Sequence, residues 1–283
     1  MLTAILNAPA PRQSLLAIVA GRNPPQETAW MIAAAMLVLL PASLALLMVD
    51  PRQLNGISVW AKPIKFQLSL AIHFATLAWL VQLVTPAAAG RVALRLGCVI
   101  AGGAALFEIL YITLQAARGR ASHFNAETPL ELALYQVMGV GAVLIVANAI
   151  QAGWVIRRHS RPEIGAGLRE GASLGLILGG IATLLTAGVL GSGEIAGPGH
   201  WVGGIRSDVG GLPLLGWSQS GGDLRVPHFF ATHLTQILPL LGLLADRIGR
   251  GRLALVRIGG VLGLAIVLAT FLQAIAGVPF LTL

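Results

Sequence analysis

The chain has 283 residues, of which 56% are apolar and only 11% are charged, with a mean hydropathy of +0.80. An ordinary soluble domain carries roughly 25% charged residues, so a water-covered globule is excluded and lipid is the expected solvent. The formal charge of +8 comes from 17 arginines and two lysines spread between apolar runs, where they read as topology and headgroup signals and not as a nucleic-acid surface.

In chain order, residues 1–27 come first. The run Leu15–Ala20 is too short for the apolar core of a signal peptide. Arg12, Arg22 and the Asn23-Pro24-Pro25 stop predict an interfacial segment. A transmembrane domain over 28–283 follows. A span needs about 20 apolar residues, and seven segments qualify: 28–49, 62–84, 93–117, 129–156, 170–190, 226–246 and 253–280. Thr128-Pro129-Leu130-Glu131 is a capping box with proline at the first helical position. Pro227 opens the sixth span in the same way, and Pro41 and Pro239 should kink theirs. The fold class is therefore all-α, an integral membrane bundle of about seven helices. With the N-terminus inside, twelve basic residues face the cytoplasm and seven face outward, which favours N-in and C-out. The lone Cys98 excludes an internal disulfide and a cysteine metal cluster.

That orientation puts the distinctive loops outside. The longest, 191–225, holds eleven glycines together with Trp201 and Trp217. A loop of this length and composition is a functional lid or a floppy connector, and its tryptophans and prolines favour the lid.

Ionisable groups inside spans are costly and mark function by default. Glu108 lies in the third span, about 15 Å from its outer end, and His73 lies at a similar depth in the second. His233 sits about 9 Å below the start of the sixth span, with Gln236 one turn deeper. Glu108, Tyr111 and Gln115 share one helical face; Ser69, His73 and Thr76 share another; His233 and Gln236 share a third. Three polar stripes in the outer half predict an outward-facing pocket between the second, third and sixth spans. The alternative is plain interhelical hydrogen bonding. His123, Asp223 and His228 fall at its rim. His228 and His233, five residues apart, point about 140° apart on a helix and cannot share a metal.

Several chemistries fit this set. His73 and His233 suit the two axial positions of a haem b, with Lys62, Lys65, Arg118 and Arg225 pairing its propionates and Gly102, Gly103, Gly139 and Gly141 making room for the ring. His73, Glu108 and His233 are candidate ligands of a single metal ion. A small amphipathic ligand such as a quinone would use Lys65 and Arg225 as anion clamps and Glu108 as the proton-carrying group. A proton-coupled transporter would use Glu108 and His73 as its relay. A non-catalytic subunit of a membrane complex would use the outer loop as an interface. Ser69-x-x-x-His73 followed by a carboxylate also resembles the seven-helix zinc hydrolases related to alkaline ceramidase, but the acid type and the later histidine spacing depart from that pattern.

Three outer motifs stand out: Trp60-x-Lys62-Pro63-x-Lys65-Phe66; Gln115-Ala116-Ala117-Arg118-Gly119 with Ser122-His123-Phe124-Asn125; and Gly216-Trp217-Ser218 with Gly221-Gly222-Asp223-Leu224-Arg225-x-Pro227-His228-Phe229. Together they resemble a group of uncharacterised bacterial polytopic membrane proteins. The resemblance covers 55–245 and implies a multi-pass protein of the bacterial inner membrane without naming an activity. Lys62, Lys65, Arg118, Arg120 and Arg225 form a basic outer ring, with Asp223 as the expected internal partner. For Lys62 and Arg120 the simpler reading is interface anchoring.

Overall fold

The structure is a computed structural model, and it describes residues 23–195, 197–249 and 253–283. The expected interfacial segment therefore lies largely outside the described residues. In chain order the helices are α1 (Pro24–Val49), α2 (Ala61–Val81), the short α3 (Pro86–Ala89), α4 (Val92–Ala117), α5 (Pro129–His159), α6 (Ala166–Ser192), α7 (Arg225–Ile248) and α8 (Leu253–Ile275). Two small antiparallel hairpins complete it: β1 (Gln53–Leu54) with β2 (Ile57–Ser58), and β3 (Trp201–Val202) with β4 (Gly222–Asp223). Among the described residues seven helices are long and apolar enough to cross a membrane, and the protein is an all-α membrane bundle.

The helix ends follow local chemistry. Thr128 accepts from the Glu131 amide, as the capping box requires. Asn23 accepts from the Gln26 amide, with Pro24 and Pro25 in the first helical positions. The prolines read from sequence as a stop are in fact a start, because a proline there lacks only an N–H that would have no helical partner. The first span accordingly begins at 24, ahead of the expected 28. The N-terminus of α6 has no cap of its own. Asp246 of α7 supplies one, accepting from the Gly167 and Leu168 amides at 2.7 and 2.8 Å.

Packing divides the bundle into two groups. α1, α2 and α4 pack together, as do α6, α7 and α8, and α5 joins them through α4 and α6. The closest pair is α6 with α7. Gly167, Gly171, Gly175 and Gly179 form a stripe along α6 against the α7 backbone. A Cβ at Gly175 would stand 2.9 Å from the Leu234 carbonyl oxygen, and one at Gly171 closer still to that of Leu238. Small residues let two helices approach until dispersion replaces the missing hydrophobic drive in lipid. The main apolar core lies between α1, α2, α4, α5 and α6 and fills the inner half, with Phe74, Leu77, Leu80, Leu94 and Ile156 fully buried. By contrast, the backbones of α2 and α7 barely touch. The space between them is bridged by side chains.

Candidate functional site

The outer half of α2 carries Lys62, Phe66, Ser69 and His73 at helical spacing on one face. Phe66 packs against the buried cluster of Tyr111, Ile112 and Met138 on α4 and α5. Glu108 lies three residues deeper than Tyr111, about 4.5 Å, whereas His73 lies seven residues below Phe66, about 10 Å. Counted along their own helices, His73 lies further from Phe66 than Glu108 does from Tyr111. Glu108 is 5% exposed, and no described residue donates a hydrogen bond to it. Lys62 is the charged group that acts on it. The ammonium passes the Phe66 ring at 5.9 Å from its centroid. Lys62, read from sequence as an interface anchor, is partly buried, with its charge within electrostatic reach of Glu108 and of Asp208 in the outer loop.

Below Glu108, the polar line continues. The Nε2 atom of His73 is buried without a hydrogen-bond partner. One turn deeper, Thr76 accepts from Nε2 of Gln236 at 3.2 Å, and Gln236 Oε1 lies 3.2 Å from Nδ1 of His233. Because α2 and α7 run the same way, this bond places His73 and His233 at one level, each one turn outward of it. His228 belongs to a different seam: its Nδ1 lies 3.3 Å from the Thr186 hydroxyl of α6.

His123 sits between Phe66 and Tyr135, with ring centroids 5.5 and 5.8 Å away, and its Nδ1 is 3.1 Å from the Ser122 hydroxyl. Burial, and then the Lys62 charge, push His123 well below its ordinary value. Gln115 does not line the pocket. Its amide lies within hydrogen-bond reach of the Tyr111 hydroxyl, Ala121 O and Glu131, and its Oε1 accepts from Arg118. It knits α4, α5 and the loop between them.

The loop 193–224, expected from its tryptophans to pack as a lid, is fastened to the outer hairpin and to the ends of α2, α7 and α8. Asp208 donates its amide to Asn55 O on the β1–β2 hairpin, and Lys65 donates to Leu215 O at 3.0 Å. Trp217 packs edge-on to Phe229 and Phe280. Gly222 fits against the Ala274 backbone of α8 where no Cβ could go. Arg225 ties these parts together: it reaches Asp223 at 2.7 Å, Asp208 at 3.1 Å and Gly216 O at 2.6 Å. The Asp223 side chain is fully buried and also accepts from the Ser218 amide, so the expected pair with Arg225 forms and is saturated. His200 Nε2 stands 3.3 Å from Asp208 Oδ1 without hydrogen-bond alignment. Burial lowers His200 although Asp208 pulls the other way. Burial raises Asp208, but His200 and Arg225 together outweigh it and hold the carboxyl below its usual range.

The expected outer ring of free cations is therefore largely engaged. Arg118 and Arg120 pair with Glu131 at 3.6 and 2.9 Å, Arg120 also meets Glu127, and Lys65 and Arg225 hold the lid. Lys65 and Arg225 have protein partners in place of the anion they were expected to clamp. Among the described residues no three of His, Cys, Asp and Glu come together as a metal site, so His73, Glu108 and His233 do not form one centre. Gly102 meets Ile32 of α1, Gly141 touches Ala104, and Gly103 and Gly139 face open space on the bundle exterior, so these glycines do not outline a slot for a ring. A haem b is left with the shared level of His73 and His233, and among its expected propionate partners Lys62 alone makes no hydrogen bond or ion pair with a described residue. His200, Asp208 and Asp246 were not singled out from sequence. A histidine and an aspartate in a glycine-rich loop carry no periodic signal, and an aspartate at the end of a span reads as an interface charge.

No protein family, no curated protein and no solved structure matches the chain.

Proposed function

We propose that this integral membrane protein binds a small amphipathic ligand, of the quinone class, in a pocket entered from the outer side beneath the 193–224 lid. The observation that supports this reading is Glu108: a buried carboxyl group in lipid with no donor among the described residues and one cation, Lys62, acting on it. A buried ionisable group without a full set of partners is expensive, and a bound molecule that supplies a donor offsets that cost. The surroundings suit a flat head with carbonyl oxygens. Phe66, Phe107 and Tyr111 are aromatic walls, and Lys62 and the unpartnered His73 Nε2 are available polar contacts. Glu108 is the group that would exchange a proton with the ligand. Placement in a bacterial inner membrane rests on the motif resemblance. The test is quenching of tryptophan fluorescence by decylubiquinone in mild detergent. Saturable quenching should weaken by about tenfold in Glu108→Gln, the loss of one charged hydrogen-bond partner. Equal affinity in the variant, or no saturable quenching at all, sinks the reading. A Soret band in the same sample would restore the haem b alternative.

A second reading, proton-coupled transport, is favoured by the one-sidedness of the polar line. It runs from Lys62 to Gln236 in the outer half and stops at the closed apolar core. One-sided access to a buried carboxyl group is what an alternating carrier has in its outward state. A pH-sensitive dye trapped in proteoliposomes would report substrate-driven proton entry, lost in Glu108→Gln.

A further inference from the structure

At the opposite, arginine-rich end of the bundle, a cavity of about 310 Å³ is lined by Arg157, Arg169, Glu170 and Ser173. It lies where α5 and α6 cross closely: a Cβ at Gly153 would stand 3.1 Å from Ser173 O. Arg157 is one turn beyond Gly153 on α5, and Arg169 is one turn before Ser173 on α6, so both arginines leave the crossing on the same side. Ser173 forms the floor. It is 1% exposed, and its hydroxyl has no hydrogen-bond partner. Elsewhere in this chain such hydroxyls turn back on their own helix: Thr76, Thr186, Thr232 and Thr270 each donate to the carbonyl four residues earlier. Ser173 leaves that bond unmade. Neither the Arg157 nor the Arg169 guanidinium makes an ion pair or hydrogen bond with a described residue. Glu170, the one acid in the lining, is held by Arg257 of α8 at 3.1 Å, which offsets part of its repulsion for an anion.

We propose that this cavity is a phosphate-binding site, with the guanidinium groups of Arg157 and Arg169 gripping the anionic oxygens and the Ser173 hydroxyl donating to one of them. Planar guanidinium forks match phosphate geometry, and basic pockets between membrane helices on the cytoplasmic side hold lipid headgroups. The phosphate is carried by an anionic phospholipid of the surrounding leaflet or is free in the cytoplasm. The site is independent of the outer pocket.

Native mass spectrometry of the full chain in mild detergent, titrated with phosphatidylglycerol or phosphatidylcholine, tests this. Wild type should retain one phosphatidylglycerol against washing and release phosphatidylcholine. The double variant Arg157→Gln with Arg169→Gln should weaken retention by at least about tenfold, and Ser173→Ala by a few-fold, the scale of charge-assisted and neutral hydrogen bonds. Arg158→Gln, whose guanidinium packs on Trp154, should change nothing. Unchanged melting temperature in lipid-free detergent separates loss of the site from loss of the fold. Displacement of the lipid by millimolar inorganic phosphate assigns the site to the free anion, and resistance to it assigns the site to the lipid. Equal retention of the two lipids, or retention in the double variant equal to wild type, overturns the proposal.

Discussion

Arg225 shows how one side chain can hold a long loop. Its guanidinium joins two carboxylates and a carbonyl, and its partner Asp223 has no exposed side-chain surface. Removing one member of such a buried group leaves the other charge uncompensated, which costs about 3–5 kcal/mol. Arg225→Gln should therefore lower the unfolding temperature markedly and open the lid to proteolysis between 203 and 221. Asp223→Asn together with Arg225→Gln should recover part of the loss. A double variant no better than the single one would mean that the latch is not what holds the loop. Asp50 is a smaller device of the same kind on the first outer hairpin. Arg52 and the Trp60 indole N–H hold its carboxyl far below the usual range, and they fasten the α1 end to the α2 start.

At the scale of elements, the pairing of α6 with α7 rests on absent side chains. The glycine stripe brings backbone to backbone, and α7 returns the contact through Gly242, where a Cβ would strike Gly167 O. Gly171→Ala should cost about 1–3 kcal/mol, the usual penalty for overpacking a close contact. Gly103→Ala and Gly139→Ala, on open helix surface, should be neutral or stabilise by up to about 1 kcal/mol through helix propensity. Thermal unfolding in one detergent compares all three. A glycine seam that tolerates alanine as readily as the open positions would refute the close-packed account. This stripe is written plainly in the sequence at four-residue spacing. It stays hidden as long as periodicity is sought only among polar and large apolar residues.

For the whole molecule, the two partly buried outer histidines set a pH dependence. His123 and His200 are neutral-favouring in the folded protein because burial disfavours the imidazolium. The unfolded, open form returns both to about 6.5, the ordinary histidine value. Between that value and their lowered folded values, the open form binds more protons, so stability is full above about pH 6.5 and declines as pH falls below it. Asp208 adds a further loss only in the acid range, since its folded value lies below the ordinary carboxylate one. The apparent melting temperature should drop by several degrees from about pH 7.5 to about pH 5.5. The drop should flatten in His123→Gln with His200→Gln, and an unaltered slope in that variant would assign the effect elsewhere.

Hydropathy alone determined the number of spans, and each observed helix overlaps its predicted segment, because a membrane demands about 20 apolar residues per crossing whatever the neighbours are. The capping box at Thr128 and the Asp223–Arg225 pair were also legible, since each depends on residues close in sequence. Other features depend on which helices meet and at what height. The charge of Lys62 acts on Glu108, Gln236 reaches Thr76 across 160 residues, Asp246 caps a helix 78 residues before it, and Arg118, Arg120, Lys65 and Arg225 have protein partners. A depth counted from a helix end ignores the vertical offset between neighbours. That offset is decided by packing such as that of Phe66 against Tyr111, and only the tertiary structure contains it.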